Sequence, residues 1–371
     1  MKQGWTYKSL GDCIDKVPKQ KQIKSKDYQS TGRYPIVSQE RDLISGYWDD
    51  ESFLYKHERP VIIFGDHTKE IKFIDFDFVV GADGTQILSP KDCLNAKFFY
   101  YALLATPIRS LGYARHFKLL KEKSFPVPPI AEQQQIVERL DAAFAQIDEL
   151  KANAEKSLNE AKSLFQASLK EMFEPKEGWK VKTIGDICEI VRGKRFVRAD
   201  IVEDGVPCIH YGDIYTYYGL SVTKTRGCLK PELAKKLRFA KKNDVVVVQA
   251  GENNWDIGVG VAYFGEEPAA VHDACFILRH KQDPMYISYY LRSYNYHWYL
   301  LDYVHKGKIC SFLKPALEKA PIPLPPLSEQ QRIVATLDSL RSKVDHLQEN
   351  FNKISQECDA LKQAILRQVF E

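Results

Sequence analysis

The sequence lacks a long apolar run, a leader peptide and paired cysteines. No stretch approaches the roughly 18 apolar residues of a membrane span, and the start, MKQGWTYKSL, has no apolar segment typical of a signal peptide. Its eight cysteines are scattered without a Cys-x-x-Cys pair, which argues against a zinc ribbon or a disulfide framework. We therefore expect a cytoplasmic protein with reduced thiols and no contact with a membrane.

The motifs of common catalytic sites are missing as well. There is no Gly-x-x-x-x-Gly-Lys-Ser/Thr phosphate loop, no His-Glu-x-x-His metal motif, and no Asn/Asp-Pro-Pro-Tyr/Phe tetrapeptide of the kind adenine methyltransferases use. Asp50, Glu70 and Lys72 can be written as a nuclease-like pattern, but a solvated strand edge explains these three letters better. We expect no catalytic residue, metal or cofactor in this chain.

What the sequence does contain is a repeat. Residues 128–174 and 325–371 align without a gap at an offset of 197, with 20 identical positions out of 47. The blocks before them share only their starts, Trp5 with Leu10-Gly11-Asp12 and Trp179 with Ile184-Gly185-Asp186. The repeat predicts four parts, residues 1–127, 128–174, 175–324 and 325–371, in which variable blocks alternate with constant segments.

The constant segments have the hydrophobic period of long helices. Apolar or small residues recur every three or four positions in both copies, a spacing typical of a coiled-coil seam. In the second copy the seam positions are Ile333, Leu337, Leu340, Val344, Leu347, Phe351, Ile354, Cys358, Leu361 and Ile365. In the first they are Ile136, Leu140, Ala143, Ile147, Leu150, Ala154, Ser157, Ala161, Leu164 and Ser168. Since small residues in one copy match large ones in the other, we expect the two helices, each about 65–70 Å long, to pair.

The variable blocks mix strand-like and helical patterns. The runs at residues 61–64 and 244–248 resemble buried strands, and the tyrosine-rich segments 95–104 and 284–291 resemble helices. Each block therefore predicts a mixed α/β domain, and the whole chain an α+β protein. The blocks carry net charges of +4 and +5, whereas the constant segments carry −4 and −1, a weak indication of nucleic-acid binding.

These features resemble the specificity subunits of type I restriction-modification enzymes. That family has two target-recognition domains, each followed by a conserved helix that opens with a Pro-Leu-Pro-Pro-Leu-x-Glu-Gln-x-x-Ile-Val stretch. The motif stands here twice, as PVPPIAEQQQIV at residues 126–137 and as PIPLPPLSEQQRIV at residues 321–334. The resemblance implies two target-recognition domains separated by two long antiparallel coiled-coil helices, with a pseudo-twofold internal repeat.

The resemblance also implies a function and partners. The chain would recognise a bipartite double-stranded DNA sequence, without catalysis of its own, for two adenine methyltransferase subunits and for restriction and translocase subunits. S-adenosylmethionine, ATP and magnesium would belong to those partners. Two alternatives remain open: a specificity subunit of an orphan or defence-associated methyltransferase without a nuclease, and a coiled-coil scaffold whose globular blocks bind protein.

Basic, amide and aromatic residues in turn-prone segments are the candidate DNA contacts, because cations position a protein on phosphates and amides or arginines recognise base edges. In the first block they are Lys21, Lys24, Asp83, Gln86, Arg115, His116 and Lys118. In the second they are Arg192, Lys194, Arg195, Tyr211, Gln249, Asn253, Lys306 and Lys308.

The start of each helix is the candidate site for the methyltransferase subunits. A Glu-Gln-Gln sequence repeats there, although seam packing alone does not require its identity, and we expect it to form an exposed surface. The alternative is helix capping combined with common ancestry of the two copies. The predicted partner-binding residues are Glu132, Gln133, Gln134, Glu329, Gln330 and Gln331.

Overall fold

The computed structural model describes residues 4–112, 114–305, 307 and 309–371. The chain divides into two compact units. Unit 1 consists of the residues up to Glu155 together with Asn350–Glu371, and unit 2 consists of Lys156–Glu349. Within the described part of the chain, no helix combines the length and the apolar character that a membrane crossing requires.

Unit 1 is a mixed domain of short strands with three short helices. Its strands are β1 Thr6–Ser9, β2 Ile14–Asp15, β3 Gln22–Ile23, β4 Tyr34–Val37, β5 Gly46–Trp48, β6 Leu54–Tyr55, β7 Val61–Gly65, β8 Ile71–Ile74, β9 Phe78–Gly81, β10 Thr85–Pro90 and β11 Ser124–Val127. Its short helices are α1 Leu10–Cys13, α2 Ala96–Ala105 and α3 Phe117–Lys121.

Two sheets carry the core of unit 1. One is antiparallel with the order β2-β10-β7-β8, and the other has the order β3-β9-β4-β5, in which β9 runs parallel to β3 and β4. The strand β7 is buried along its whole length, as expected for an apolar run between two packed layers. Helix α2 covers the antiparallel sheet, and the Asn95 side chain caps it by accepting from the Lys97 and Phe98 amides at 2.9 and 3.1 Å.

The long helix α4, Ile130–Met172, follows unit 1's last strand and continues into unit 2. The strands of unit 2 are β12 Lys180–Thr183, β13 Cys188–Arg192, β14 Ile201–Val202, β15 Val206–Ile209, β16 Ser221–Val222, β17 Gly227–Leu229, β18 Phe239–Ala240, β19 Val245–Val248, β20 Ala250–Gly251, β21 Gly260–Tyr263, β22 Ala269–Val271, β23 Cys275–His280, β24 Cys310–Ser311 and β25 Pro321–Leu324. Its helices are α5 Ile184–Ile187, α6 Tyr211–Thr216, α7 Pro231–Ala234, α8 Pro284–Tyr290, α9 Tyr294–Leu301, α10 Lys314–Lys319 and the long α11, Leu327–Phe370.

Unit 2 repeats the plan of unit 1 with additions. A sheet of order β13-β23-β19-β21-β16 corresponds to the sheet β2-β10-β7-β8 of unit 1. A second sheet has the order β14-β17-β15-β22-β18, and its parallel pair β15 and β22 corresponds to the parallel pair β4 and β9. The pairs β1–β11 and β12–β25 close each domain next to its long helix. The predicted α+β fold with two repeated domains and long helices is confirmed.

Segments of the long helices pair antiparallel within each unit. In unit 1 the Lys362 ammonium lies 2.5 Å from the Asp148 carboxylate, and Lys151 lies 3.5 Å from Asp359, so the numbers rise along one helix as they fall along the other. In unit 2 the Lys162 ammonium donates to the Gln348 side chain at 2.7 Å. Both helices begin directly after a Pro-Pro pair, as the sequence predicts.

Part of the predicted seam is wrong. Leu150, Leu164 and Leu361 are 56%, 59% and 50% exposed, whereas Leu158 and Leu169, outside the predicted seam, are buried. The buried positions Ile147, Leu158 and Leu169 are spaced by eleven residues, about 3.67 per turn. A straight helix has about 3.6 residues per turn, so a stripe drawn with a strict 3.5 period drifts off the buried face after a few turns.

The identical residues of the repeat explain how each domain is held. In unit 1, Leu140 of α4 and Leu366 of α11 belong to the domain core, and Phe370 packs against it. In unit 2 the equivalent residues come from the other helix ends: Leu337 of α11, and Leu169 and Phe173 of α4, belong to the core. The offset of 197 relates them to Leu140, Leu366 and Phe370 of unit 1. Each constant segment therefore supports one domain with its start and the other domain with its end.

Candidate nucleic-acid interface

The candidate interface of unit 2 lies where several strands end together. The chain leaving β13 bonds to the chain leaving β22, since the Lys194 amide donates to the Val271 carbonyl at 3.0 Å. The His272 amide donates to Ile209 at the end of β15, and the Gln249 amide after β19 donates to Ala274. Segments far apart in sequence thus form one continuous edge.

Gly193 has a structural role at this edge. A Cβ atom at Gly193 would collide with the carbonyl oxygens of Val271 and His272, so only glycine lets the two segments approach. The missing side chain thus serves packing inside the protein, and this packing positions the basic residues on either side.

Those basic residues are exposed. Lys194, Arg195 and Arg198 point to solvent, and none of them forms an ion pair with any residue that the structure describes. Arg192 is also exposed, and its Nε donates to the Asp273 carbonyl at 2.9 Å, which fixes the guanidinium against the edge. Exposed cations without carboxylate partners suit contact with phosphates.

Two histidines lie beside these cations. The rings of His210 and His272 are 4.8 Å apart between centroids, and Tyr211 packs 4.4 Å from His210. Burial lowers the pKa of His210 to about 4, and its Nδ1 accepts the Gly212 N–H at 3.2 Å, so the neutral ring carries its proton on Nε2. Burial also lowers the pKa of His272, whose Nδ1 accepts the Ala274 N–H at 3.1 Å and lies 3.2 Å from the Asp273 carboxylate.

Gln249 anchors a neighbouring loop. The residue is 7% exposed, and its side-chain Nε2 donates to the Phe312 carbonyl at 2.7 Å. The Phe312 amide donates back to the backbone carbonyl of Gln249 at 3.3 Å. Its Oε1 accepts from Arg192 Nη2 at 3.4 Å. Both hydrogen-bonding ends of this amide are thus engaged within the protein. Gln249, predicted to contact bases, holds the chain at Phe312 in place.

Asn253 and Trp255 form the tip of the adjacent turn. The Asn253 Oδ1 accepts from the Trp255 amide at 2.8 Å, so part of this predicted DNA contact is used to shape the turn. Trp255 is 72% exposed and stacks on His297 with the ring centroids 4.5 Å apart and the planes at 7°. The predicted contacts Lys306 and Lys308 lie outside the described residues.

Unit 1 contains the equivalent anchor with different residues. Asp66, which follows β7 as Gln249 follows β19, accepts the His116 amide on its carbonyl at 2.7 Å and the Phe117 amide on its Oδ1 at 2.7 Å. His116 is completely buried. Its Nε2 accepts from the Leu111 amide at 2.9 Å, and its Nδ1 lies 3.0 Å from the Asp66 carbonyl.

The predicted DNA contact at His116 is therefore wrong. Both ring nitrogens are satisfied inside the protein, in the place that Phe312 occupies in unit 2. The ring fixes the basic loop before it. Arg115 and Lys118 on either side are exposed, and the Arg115 guanidinium lies 3.9 Å from the Asp66 carboxylate.

The other predicted contacts of unit 1 are spread along the same edge. Lys21 and Lys24 are exposed, and the Lys21 ammonium lies 3.2 Å from the Ser52 hydroxyl and 5.0 Å from the Phe53 ring. Asp83 is exposed in the turn between β9 and β10, and the half-buried Gln86 lies on β10 opposite Phe64. Lys72 of the nuclease-like pattern is buried and donates to the Ser38 carbonyl, a structural role.

The predicted exposure of Gln133 and Gln330 is also wrong, because both side chains are completely buried. Gln133 accepts from the Asn95 amide at 2.7 Å and donates to the Cys93 and Pro128 carbonyls at 2.9 and 2.8 Å. Gln330 makes the same set with the Asp283 amide and the Pro325 carbonyl. Each glutamine joins the start of a long helix to the N-cap of a domain helix.

Sequence reasoning missed several residues of the edge. His272 directly follows β22, at the position equivalent to Gly81, the last residue of β9, and this equivalence becomes visible only when the strands are paired. Gln39 was also missed; its Oε1 accepts from the His67 amide at 3.0 Å and supports the turn around Gly84. Among the described residues there is no group of three or more His, Cys, Asp and Glu side chains that could hold a metal ion.

Two repeated mixed domains, each with a basic edge and each built onto the ends of two long helices, define a class of modular DNA-recognition protein. A family model described as the type I restriction modification DNA specificity domain matches residues 2–160 and again residues 176–356. The chain belongs to this family, whose function is recognition of a DNA target.

Known relatives are similar over most of the chain. A putative type I restriction enzyme specificity subunit of Haemophilus influenzae is 24% identical over 325 residues, covering 83% of this chain and 80% of that protein. The type I restriction enzyme MjaVIII specificity subunit of Methanocaldococcus jannaschii is 23% identical over 396 residues, covering 98% and 91%.

Solved structures show the same fold. A chain described under complex assembly and conformational transition of the type I R-M system has a TM-score of 0.69 at 20% identity, covering 98% of this chain and 97% of that chain. The crystal structure of the HsdS subunit from Thermoanaerobacter tengcongensis has a TM-score of 0.55 at 20% identity, covering 100% and 97%.

Proposed function

We propose that this chain recognises a split double-stranded DNA sequence, with each unit reading one half, for the partner subunits of a type I restriction-modification system. The observation that carries the proposal is the repetition of one edge. In both units the chain after the central buried strand anchors a distant segment of the same unit through a backbone carbonyl and a side chain, Asp66 at residues 116–117 and Gln249 at Phe312. A doubled recognition edge suits a doubled target.

The division of labour at each edge follows from chemistry. Exposed cations such as Lys194, Arg195 and Lys118 place the domain on phosphates, whereas residues at the strand ends, such as Tyr211, face base edges. The remaining predicted DNA contacts, Lys21, Lys24, Asp83, Gln86, Arg115, Arg192 and Asn253, belong to the same proposal. The paired long helices would fix the number of unread base pairs between the half-sites, as subunit geometry does in dimeric repressors.

The proposal assigns catalysis to partners. The chain would direct adenine methylation by two methyltransferase subunits and cleavage by restriction and translocase subunits, in the cytoplasm. The partners would bind S-adenosylmethionine, ATP and magnesium. The relatives' names as specificity subunits of type I restriction enzymes support this arrangement. For the methyltransferase contact, Glu132, Gln134, Glu329 and Gln331 remain candidates, since Gln134 and Gln331 are exposed at the two helix starts.

The proposal is tested by reconstituting the chain with its methyltransferase and mapping methylated adenines on long DNA. We expect one motif made of two short sequences with a fixed gap. Methylation that lacks any shared motif, or that is unchanged when this chain is omitted, would contradict the proposal.

The cations provide a second measurement on the same complex. Replacing Lys194 and Arg195 by Gln should weaken binding without altering the motif and should reduce the slope of log affinity against log salt by roughly 2, if each contacts one phosphate. The control is Lys242→Gln, which removes an exposed cation that is already paired with Glu266 at 2.6 Å. An unchanged slope would remove these two residues from the interface.

A further inference from the structure

Arg226 is held in a way that its position in a loop does not require. Its guanidinium carbon lies 3.4 Å from the centre of the Tyr217 ring, and its Nη1 lies 3.5 Å from the Asp213 carboxylate. Its backbone N–H donates to the Tyr218 hydroxyl at 2.8 Å. One face of the guanidinium is therefore covered by an aromatic ring and one edge is directed at a carboxylate, so the plane of the fork is fixed.

The carboxylate that orients Arg226 is itself buried. The side chain of Asp213 is 9% exposed, whereas that of Arg226 is 50% exposed and Tyr217 is 58% exposed. A buried carboxylate beside a half-exposed arginine directs one edge of the guanidinium inward and leaves the others accessible. An open cavity of about 420 Å³ lies next to the pair, lined also by Arg198 and Gly227.

This group lies on the recognition edge of unit 2. Asp213 belongs to α6, which starts at Tyr211 directly after His210, and the Asp213 amide donates to the His210 carbonyl at 3.0 Å. Arg198 of the basic segment lines the same cavity. The arginine, the histidine pair and the exposed cations are therefore parts of one surface.

We propose that Arg226 is a specificity-determining residue of unit 2 that recognises a guanine through its O6 and N7 atoms. The inference rests on the proposed function and adds the base and the residue. A guanidinium presents parallel N–H groups that match these two acceptors in the major groove, and a fork fixed before binding loses little freedom on contact. Tyr217 and Asp213 act as positioning residues through Arg226.

The equivalent connection between strands in unit 1 lacks this arrangement. Residues 38–45, which connect β4 to β5 in unit 1, contain no helix equivalent to α6 and no arginine stacked on a tyrosine among the residues described there. The effect of changing Arg226 should therefore be confined to one half of the target.

The experiment uses the full chain in complex with its methyltransferase and duplexes in which each guanine of the target is replaced, one at a time, by 7-deazaguanine. This base keeps O6 and the Watson–Crick edge but lacks N7. For the wild-type complex, we expect one position in one half-site at which the replacement weakens binding roughly 5- to 150-fold, the range for a lost base contact. For Arg226→Lys, the sensitivity to this replacement should fall below that of the wild type, because a single ammonium cannot present the rigid pair of parallel N–H groups that matches O6 and N7.

Arg226→Lys keeps a cation beside Asp213, so the buried carboxylate stays paired and the domain stays folded. The matched control is Arg59→Lys in unit 1, since Arg59 is 54% exposed and also lies near carboxylates, those of Asp15 and Asp92. The control should keep the full wild-type sensitivity to 7-deazaguanine.

Two results would overturn the inference: full wild-type sensitivity at every guanine in the Arg226→Lys complex, or a wild-type complex insensitive to 7-deazaguanine at every position. If sequence-selective binding remained intact, the second result would overturn only the role of Arg226 in recognising a guanine. A wild-type complex without any sequence-selective binding would instead overturn the proposed function on which the inference rests.

Discussion

Removing the buried amide at the start of α11 should destabilise unit 2 without changing the proposed DNA-binding edge. In Gln330→Ala, the Asp283 amide and the Pro325 carbonyl lose partners at 3.0 and 2.9 Å, whereas Gln282, also bonded at 3.0 Å, can turn to solvent. A buried polar group left without a partner costs about 1–3 kcal/mol. Two such groups predict a loss of about 2–6 kcal/mol.

The affected part of the chain makes the effect measurable locally. Asp283 is the N-cap of α8 and accepts from the Met285 and Tyr286 amides, so its displacement should loosen the first turn of that helix. Because the chain has two compact units, one global unfolding energy is not a well-defined quantity. Hydrogen exchange of peptides covering residues 281–291 and 322–337 reports on unit 2 directly.

The matched control is Gln331→Ala, which removes the same side chain from the exposed neighbouring position. We expect faster exchange in both peptides for Gln330→Ala and a fall in the unfolding temperature of unit 2 of roughly 4–24 °C, with little change for Gln331→Ala. Equal exchange in the two variants would refute the assignment of Gln330 as a structural joint. Gln330→Glu should resemble Gln330→Ala, since it loses the donor to Pro325.

Three further predictions concern the helix seam, pH and the partner surface. Leu158→Ala should speed hydrogen exchange of the peptide that contains residue 158, as expected for a local loss of about 2–5 kcal/mol, whereas Leu164→Ala should change little, and the reverse order would restore the strict 3.5-residue seam. Burial lowers the pKa of His280 to about 4, so the unfolded chain binds a proton first as the pH falls. Stability should therefore be full above about pH 6.5 and decline by about 3 kcal/mol toward pH 4, a decline that His280→Asn should reduce. Gln134→Lys with Gln331→Lys should weaken capture of the methyltransferase in a pull-down without changing the DNA motif, and unchanged capture would place the partner surface elsewhere.

The parts of the fold that follow from local patterns could be predicted from the sequence. A Pro-Pro pair followed by an apolar stripe defines where α4 and α11 begin, and a run such as residues 61–64 defines a buried strand. The repeat gave the number of domains because its identical residues, Leu140 with Leu337 and Phe173 with Phe370, are those on which the domains pack. The predicted family follows from the same residues.

The site was harder to predict because exposure depends on which strands lie side by side. His116 and Gln249 have the chemistry of base contacts, but pairing of distant strands turns their polar atoms inward. Gln133 and Gln330 were expected on the surface because packing of a helix seam does not require a glutamine at both positions. Both copies contain glutamine because its side chain accepts from the N-cap amide of a domain helix that is distant in sequence. No sequence pattern singled out Arg226, because only the folded structure brings Asp213 and Tyr217 next to its side chain.

The central claim is that the two units are equivalent readers of two half-sites. It is tested most directly by a chain in which residues 6–127, from β1 to β11, replace residues 180–324, from β12 to β25, so that both domains are copies of the first. In its new position the transplanted first domain would pack against Leu169, Phe173 and Leu337. In its own position it packs against the identical residues Leu366, Phe370 and Leu140, so the helix surface that it contacts is the same.

The measurement is the map of methylated adenines produced by this chain with its methyltransferase. We expect a palindromic split motif in which the first half-site of the wild-type target occurs twice, in inverted orientation, while the second half-site is lost. A folded, active complex that still methylates the wild-type motif would contradict the claim that each unit reads its own half.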